Sequence, residues 1–330
     1  MYSDDDLSAA VQAGILTEDA AQAFRAHVAQ RKSAPALDEE HFRLVTGFND
    51  IFVVIACLLM LASVAWLGGA IAPPLGALAV SAVAWALGEF FILRRRMALP
   101  AIVLLLAFTG GIVAAGFVID GKSTAALALA CAIAAVATWL HWRRFHVPIT
   151  VAAGAAAVVG CAVSLLLVFV PATKAFTNLL SLLAGVVVFA LAMRWDSADT
   201  RRETRKSDVA FWLHLLAAPL LVRPIFSALD VFAGATDLRQ AIAVVAVYVA
   251  IAIVSLSIDR RALMVSALIY VLYTFSDLLR QYGVVSLGFA IAAFVIGSGL
   301  LLLSAFWHPA RARAIGFFPD GLRHRLPPLR

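Results

Sequence analysis

The chain has 330 residues, of which 63% are hydrophobic and only 14% charged, with a mean hydropathy of +0.95. Soluble domains run at about 45–50% apolar and about 25% charged, so the excess excludes an ordinary soluble domain and calls for lipid as solvent. The net charge of +6 is read as topogenic Lys and Arg facing anionic lipid rather than as a nucleic-acid footprint, because no basic stretch is interleaved with aromatics on a soluble segment.

Residues 1–47 are polar. Ser3 is placed to cap a short helix with Asp4, Asp5 and Asp6 in its first turn, and Gly14 suits its stop. Thr17 is placed to cap a second helix carrying Glu18 and Asp19 at its start, Arg31 and Lys32 at its end, and Ala20, Phe24 and Val28 as an apolar stripe. The pattern predicts a cytoplasmic helical hairpin with little core of its own, docking on the membrane face or on a protein partner. Pro35 and the acidic run Asp38, Glu39 and Glu40 read as linker. Residues Met1 to Asp6 are acidic and the first long apolar run opens near Ile51, so no cleavable signal peptide is expected.

Ten apolar segments follow, at about 51–71, 75–93, 99–119, 124–140, 147–170, 176–193, 209–229, 238–258, 262–279 and 284–307. Their unbroken Leu, Ala and Val runs favour helices over barrel strands, and most reach the roughly 20 residues that a span requires. The first two are separated only by Ala72, Pro73 and Pro74, which predicts a tight turn. The fourth is short, as though tilted least or partly sheltered. Alternate gaps between segments collect 21 of the 26 Lys and Arg, and the other side receives five: Lys122, Lys174, Arg223, Arg239 and Arg280. The positive-inside rule then puts both termini in the cytoplasm with an even number of spans. Trp139, Trp142, Trp195, Trp212 and Trp307 fall near the same ends, where amphipathic rings prefer the interface. The expected fold is an all-α polytopic bundle of ten spans over residues 48–308, followed by a basic cytoplasmic tail at 309–330. Twenty-two Arg against four Lys, with abundant Ala, fit a bacterial source and an inner-membrane location.

A short pattern recurs at turns that open inward-to-outward spans: Arg95-Arg96-Met97-Ala98-Leu99-Pro100, Arg143-Arg144-Phe145-His146-Val147-Pro148 and Arg260-Arg261-Ala262-Leu263-Met264-Val265. Short cytoplasmic turns under the charge rule account for it more simply than duplicated hairpins do.

The candidate site residues are the polar groups that the charge rule leaves unexplained. The seventh segment contains His214, Pro219, Arg223 and Pro224, with Asp208 at its edge. Ionisable groups inside spans face a bundle interior or water. Each proline frees a carbonyl four residues earlier, Leu215 for Pro219 and Leu220 for Pro224, so a helix break lining a cavity is one expectation. At 100° per residue, His214 and Arg223 point opposite ways, so they form no dyad. Burial against a neighbouring carbonyl is the plainer reading of His214, and Arg223 is expected to snorkel outward toward Asp230 or Asp277. Glu89, a turn inside the second segment, is read either as a proton or cation carrier or as an anchor paired with nearby arginines. Asn49 and Asp50 open the first segment as caps. Tyr270, Tyr273 and Asp277 share a face at i, i+3, i+7, either lining an outward vestibule or bonding between spans.

No catalytic motif is present: the chain has no Gly-rich phosphate loop with Lys, no His-Glu-x-x-His and no Gly-x-Ser-x-Gly. His141 and His146 flank Arg143 and Arg144 in what reads as a cytoplasmic turn, at poor ligand spacing. Cys57, Cys131 and Cys161 lie in apolar runs as filler. No metal, cofactor or enzyme activity is therefore expected.

Gly14-Ile15-Leu16-Thr17-Glu18-Asp19-Ala20, followed by an amphipathic helix, a linker and many spans, resembles uncharacterised bacterial predicted-membrane-protein families with an N-terminal helical hairpin. The entry from Phe42 to Asp50 into the first span adds to the resemblance, which implies architecture and no activity. The expected function is therefore that of a non-enzymatic inner-membrane protein with an interaction element in residues 1–47. The alternative is a secondary transporter with a cavity near a kinked seventh span, similar to drug/metabolite exporters in span count only.

Overall fold

A computed structural model describes residues 4–31, 48–121, 123–199, 204–229 and 238–281, together with 294, 297–299, 302 and 306–316. Every regular element among them is helical. The chain divides into two units, Met1–Arg43 and Leu44–Arg330.

The first unit contains α1 (Asp4–Gln12) and α2 (Glu18–Arg31). Gly14 turns the chain between them at φ +69°, a left-handed conformation that glycine adopts without a Cβ penalty. The hydroxyl of Thr17 accepts the backbone N–H of Ala20 at 3.3 Å, an N-cap bond that satisfies one orphan donor of α2.

In the second unit, eight helices among the described residues are long and apolar enough to cross a membrane, and they point to a membrane-embedded protein. They are α3 (Phe48–Ile71), α4 (Pro73–Gly88, running on as a π-helical turn over Glu89–Arg94), α5 (Ala98–Asp120), α6 (Thr124–Phe145), α7 (Ile149–Phe169), α8 (Thr177–Ser197, preceded by a 3₁₀ segment Pro171–Phe176), α9 (Arg205–Ser227) and α10 (Leu238–Ile258). Large apolar side chains such as Trp66, Ile71 and Phe169 lie exposed on their outer faces, as lipid-facing residues do. The ninth apolar segment forms α11 (Ala262–Gln281), whose apolar stretch Ala262–Ser276 is shorter than a full span. The tenth, at 284–307, lies almost wholly outside the described residues, as does the tail beyond Gly316. A further helix, α12 (Trp307–Gly316), carries Arg311 and Arg313.

The broadest contacts join chain neighbours: α8 on α9, α6 on α7 and α4 on α5. Small residues let the backbones approach. A Cβ on Gly76 of α4 would stand 2.5 Å from the carbonyl oxygen of Ala65 in α3, so this hairpin closes only on glycine. Ala72 is extended at φ −156°, as the residue before a proline prefers. The fourth segment is not short. Its helix spans 22 residues because Trp142, Arg143, Arg144 and Phe145 continue it past Leu140, which puts His141 inside the helix and not in a turn.

Three non-glycine residues have left-handed φ: Arg96 (52°), His146 (52°) and Asp259 (57°). Each sits at one of the three arginine-bearing turns singled out in the sequence. Their shared feature is a left-handed residue near the helix end, a common way to stop a helix and reverse the chain. The arginines do not hold one register against it: Arg143 and Arg144 precede His146, whereas Arg260 and Arg261 follow Asp259.

Candidate functional site

Helix α9 is the centre of its neighbourhood. Half of its apolar window is buried, against a third or less in each of the other spans. It packs on α7, α8 and α11. Leu213, Ala217, Ala218 and Val222 form its buried face, with Val188 and Ala192 of α8 opposite. Gly185 permits the closest approach: a Cβ there would meet the Leu221 side chain at 2.9 Å and the Leu220 backbone at 3.0 Å.

The helix continues through Pro219 and Pro224 without a break, which corrects the expectation of an interrupted span. A reason lies in α8: the Ser181 hydroxyl donates at 3.1 Å to the Leu220 carbonyl that Pro224 leaves unbonded. A hydroxyl from a neighbouring helix is a common way to satisfy such a group in lipid. His214 is fully buried and Arg223, nine residues on, is exposed. Asp230 and the Asp277 side chain, the partners expected for Arg223, lie outside the described residues.

His214 lies beside a carboxylate. Its Nε2 is 3.4 Å from Oδ2 of Asp196, near the end of α8, and its ring meets Phe189 edge-on at 5.2 Å. Asp196 is 4% exposed and also receives Arg260 from the turn between α10 and α11. Arg260 Nη2 donates to Asp196 Oδ1 at 2.6 Å and its Nε to Oδ2 at 3.3 Å, a two-pronged guanidinium–carboxylate pair. The same Nη2 reaches the carbonyl oxygen and hydroxyl of Ser207, in the first turn of α9, at 3.3 and 3.2 Å. Asp196, Arg260 and His214 thus tie together α8, α9 and the α10–α11 turn, with Asp208 half-buried nearby.

The turn holds a second charged pair facing another way. Asp259 Oδ1 accepts from Trp307 Nε1 at 2.7 Å and lies 3.7 Å from Arg311 Nε, and Arg311 is 1% exposed. Adjacent residues therefore bind different elements: Asp259 holds α12, and Arg260 holds α8 and α9. The turn is locked by Arg260 N–H donating to the Ser255 carbonyl at 3.0 Å, and by the Ser255 hydroxyl donating to the Arg260 carbonyl. Arg261 lies over the Trp307 ring, 4.7 Å from its centroid. Before α9, Asp199 accepts the Thr204 N–H and hydroxyl at 2.9 and 2.6 Å.

The remaining candidates fall elsewhere. Glu89 opens the π-helical turn and takes both prongs of Arg144, at 2.9 and 2.6 Å, on a half-exposed surface. Tyr270 stacks on Phe226 of α9 with ring centroids 4.7 Å apart, while Tyr273 is exposed. Asn49 is exposed and Asp50 buried at the start of α3. His141 is buried among Trp85, Phe108 and Phe145, its Nδ1 hydrogen-bonded to Thr150 Oγ1 at 3.2 Å. A shallow groove of about 410 Å³ on α6, lined by Ala132, Ile133, Val136, Ala137 and Leu140, is apolar. Among the described residues, no three His, Cys, Asp or Glu side chains converge as a metal site.

Asp196 and Arg260 were not among the sequence candidates. Asp196 lies three residues past the predicted end of its segment, and Arg260 was counted with the topogenic arginines. The available signal was the Asp259-Arg260 juxtaposition of opposite charges in a turn too short to need both. Comparison with protein-family models, curated proteins and solved structures returned no match to this chain.

Proposed function

We propose that the chain is a ten-span protein of a bacterial inner membrane, non-enzymatic, with both termini cytoplasmic, whose membrane domain works as a secondary transporter built around α8 and α9. The orientation rests on the division of 21 basic residues against five. The transport reading rests on the buried Asp196–Arg260–His214 group. A bundle that only had to hold together would be served as well by apolar residues, because replacing a buried ion pair with well-packed hydrophobics is commonly neutral or stabilising. Ionisable groups kept inside a membrane bundle mark ion or substrate pathways.

The N-terminal hairpin is then a cytoplasmic interaction element. A C-terminal reporter active only in the periplasm contradicts the orientation if it lights up. The transport reading is tested by water access along the buried face of α9. Cys57, Cys131 and Cys161 are replaced, and single cysteines are placed at Leu213, Ala217 and Val222. A transporter that alternates its openings exposes them to a polar thiol reagent, and a permanently sealed bundle leaves them unlabelled.

A further inference from the structure

The apolar groove on α6 runs toward two arginines. Its five lining residues all come from that helix. Ile133, Val136 and Leu140 stand exposed, and the small side chains of Ala132 and Ala137 leave the space between them. From Ala132 to Leu140 the groove follows about 12 Å of helix. Arg143 and Arg144 lie three and four residues further on, about 4.5 and 6 Å past Leu140. At 100° per residue, the lining residues centre on a direction between those two arginines, so both stand on the groove's own face.

The two arginines are engaged differently. Arg144 closes on both oxygens of Glu89, at 2.9 and 2.6 Å, and the pair is neutral as a whole. Arg143 is exposed, and its guanidinium stands over the Trp139 ring, 5.0 Å from the centroid. Helical side chains lean toward the N-terminus, and this one leans back along the groove. A ring meets the face of a guanidinium and leaves the in-plane N–H fork for phosphate oxygens. Trp139 is itself exposed, as amphipathic rings are where they settle in the interface.

The order along α6 is therefore apolar trough, interfacial ring, cation. That is the order of acyl chain, glycerol and phosphate in a phospholipid. A choline headgroup brings its own cation beside the phosphate and gains less from Arg143 than a headgroup of net negative charge. We propose that this face of α6 holds one anionic phospholipid, with an acyl chain in the groove and the phosphate on Arg143. The site requires that α6 lie in lipid, and it rests on neither the direction of the chain through the membrane nor the transport reading.

The test uses the full-length protein in detergent micelles. It is titrated with phosphatidylglycerol or phosphatidylcholine carrying the same brominated chains, which quench nearby tryptophans. The part of the quenching that is lost in Trp139→Phe reports the groove. One arginine near anionic lipid is worth about fivefold in binding, so phosphatidylglycerol should bind about fivefold or more tighter than phosphatidylcholine. Arg143→Gln should remove that preference and Arg143→Lys should keep it. Arg194→Gln, which removes an exposed arginine near the end of α8, should leave it intact. Ala132→Leu fills the groove and should weaken the binding of both lipids. Equal binding of the two lipids by the wild type, or a preference that survives Arg143→Gln, overturns the phosphate position. A preference lost equally in Arg194→Gln is an effect of net charge and overturns the site. Unchanged binding in Ala132→Leu overturns the placement of the chain. Inorganic phosphate that displaces the lipid at equal concentration makes this a simple anion site and overturns the lipid. The absence of Trp139 quenching by either lipid means that the groove is closed to lipid, which overturns the proposal. None of these outcomes bears on thiol labelling of α9, so the transport reading stands or falls separately.

Discussion

Arg260→Met isolates the contact on which the account turns. The substitution removes both prongs on Asp196 and the two bonds to Ser207. It leaves a carboxylate that is 4% exposed and 3.4 Å from His214 Nε2. Breaking one side of a buried pair costs about 3–5 kcal/mol, because the survivor stays desolvated without its counter-charge. At about 2–3 °C per kcal/mol for a chain of this size, the melting temperature in a mild detergent should fall by about 6–15 °C. The double variant Asp196→Leu with Arg260→Met removes the stranded charge and fills the space. It should return to within about 1 kcal/mol of wild type or exceed it. Thermal unfolding of the wild type, both single variants and the double gives the full cycle. A double variant as unstable as the sum of the singles would refute the reasoning, since the two side chains would then act independently. A rescued double variant should leave the Ala217 cysteine closed to reagent, because stability would be restored without the charged group on which the transport reading rests.

Ser181→Ala leaves the Leu220 carbonyl without its hydroxyl donor and should cost about 0.5–2 kcal/mol, read as a lower melting temperature. Gly185→Val drives a side chain into Leu220 and Leu221 and should destabilise by about 1–3 kcal/mol, more than the same change at the open Gly110. Asp259→Ala frees Trp307 and Arg311, so limited proteolysis should clip α12 sooner while the remaining spans stay resistant. Glu89→Gln, at a half-exposed pair, should leave the melting temperature unchanged.

The membrane class and the position of α3 to α10 were legible because lipid demands long apolar runs and the runs are uninterrupted. Boundaries moved where the local chemistry was polar but still helical: Trp142 to Phe145 extend α6, and Arg205 to Asp208 begin α9 before its apolar stretch. His214 stood out as an ionisable residue in a span, but its partner did not. Asp196 and Arg260 are 64 residues apart, and a pairing between helices that are not chain neighbours leaves no periodic trace. The prolines misled for a related reason. A freed carbonyl shows in the sequence of α9, while the Ser181 hydroxyl that satisfies it belongs to α8. Arg260 shows the limit of the charge rule, which assigns an arginine to a side of the membrane but not to an anchor or a buried partner.

The most direct measurement is two-sided labelling of the single cysteine at Ala217, fully buried and near the middle of α9. In inside-out and right-side-out vesicles, a membrane-impermeant thiol reagent should reach it from each face. A cysteine that stays unlabelled from both faces, in vesicles where an exposed control cysteine reacts, would contradict the account and leave Asp196, Arg260 and His214 as a fixed structural clasp.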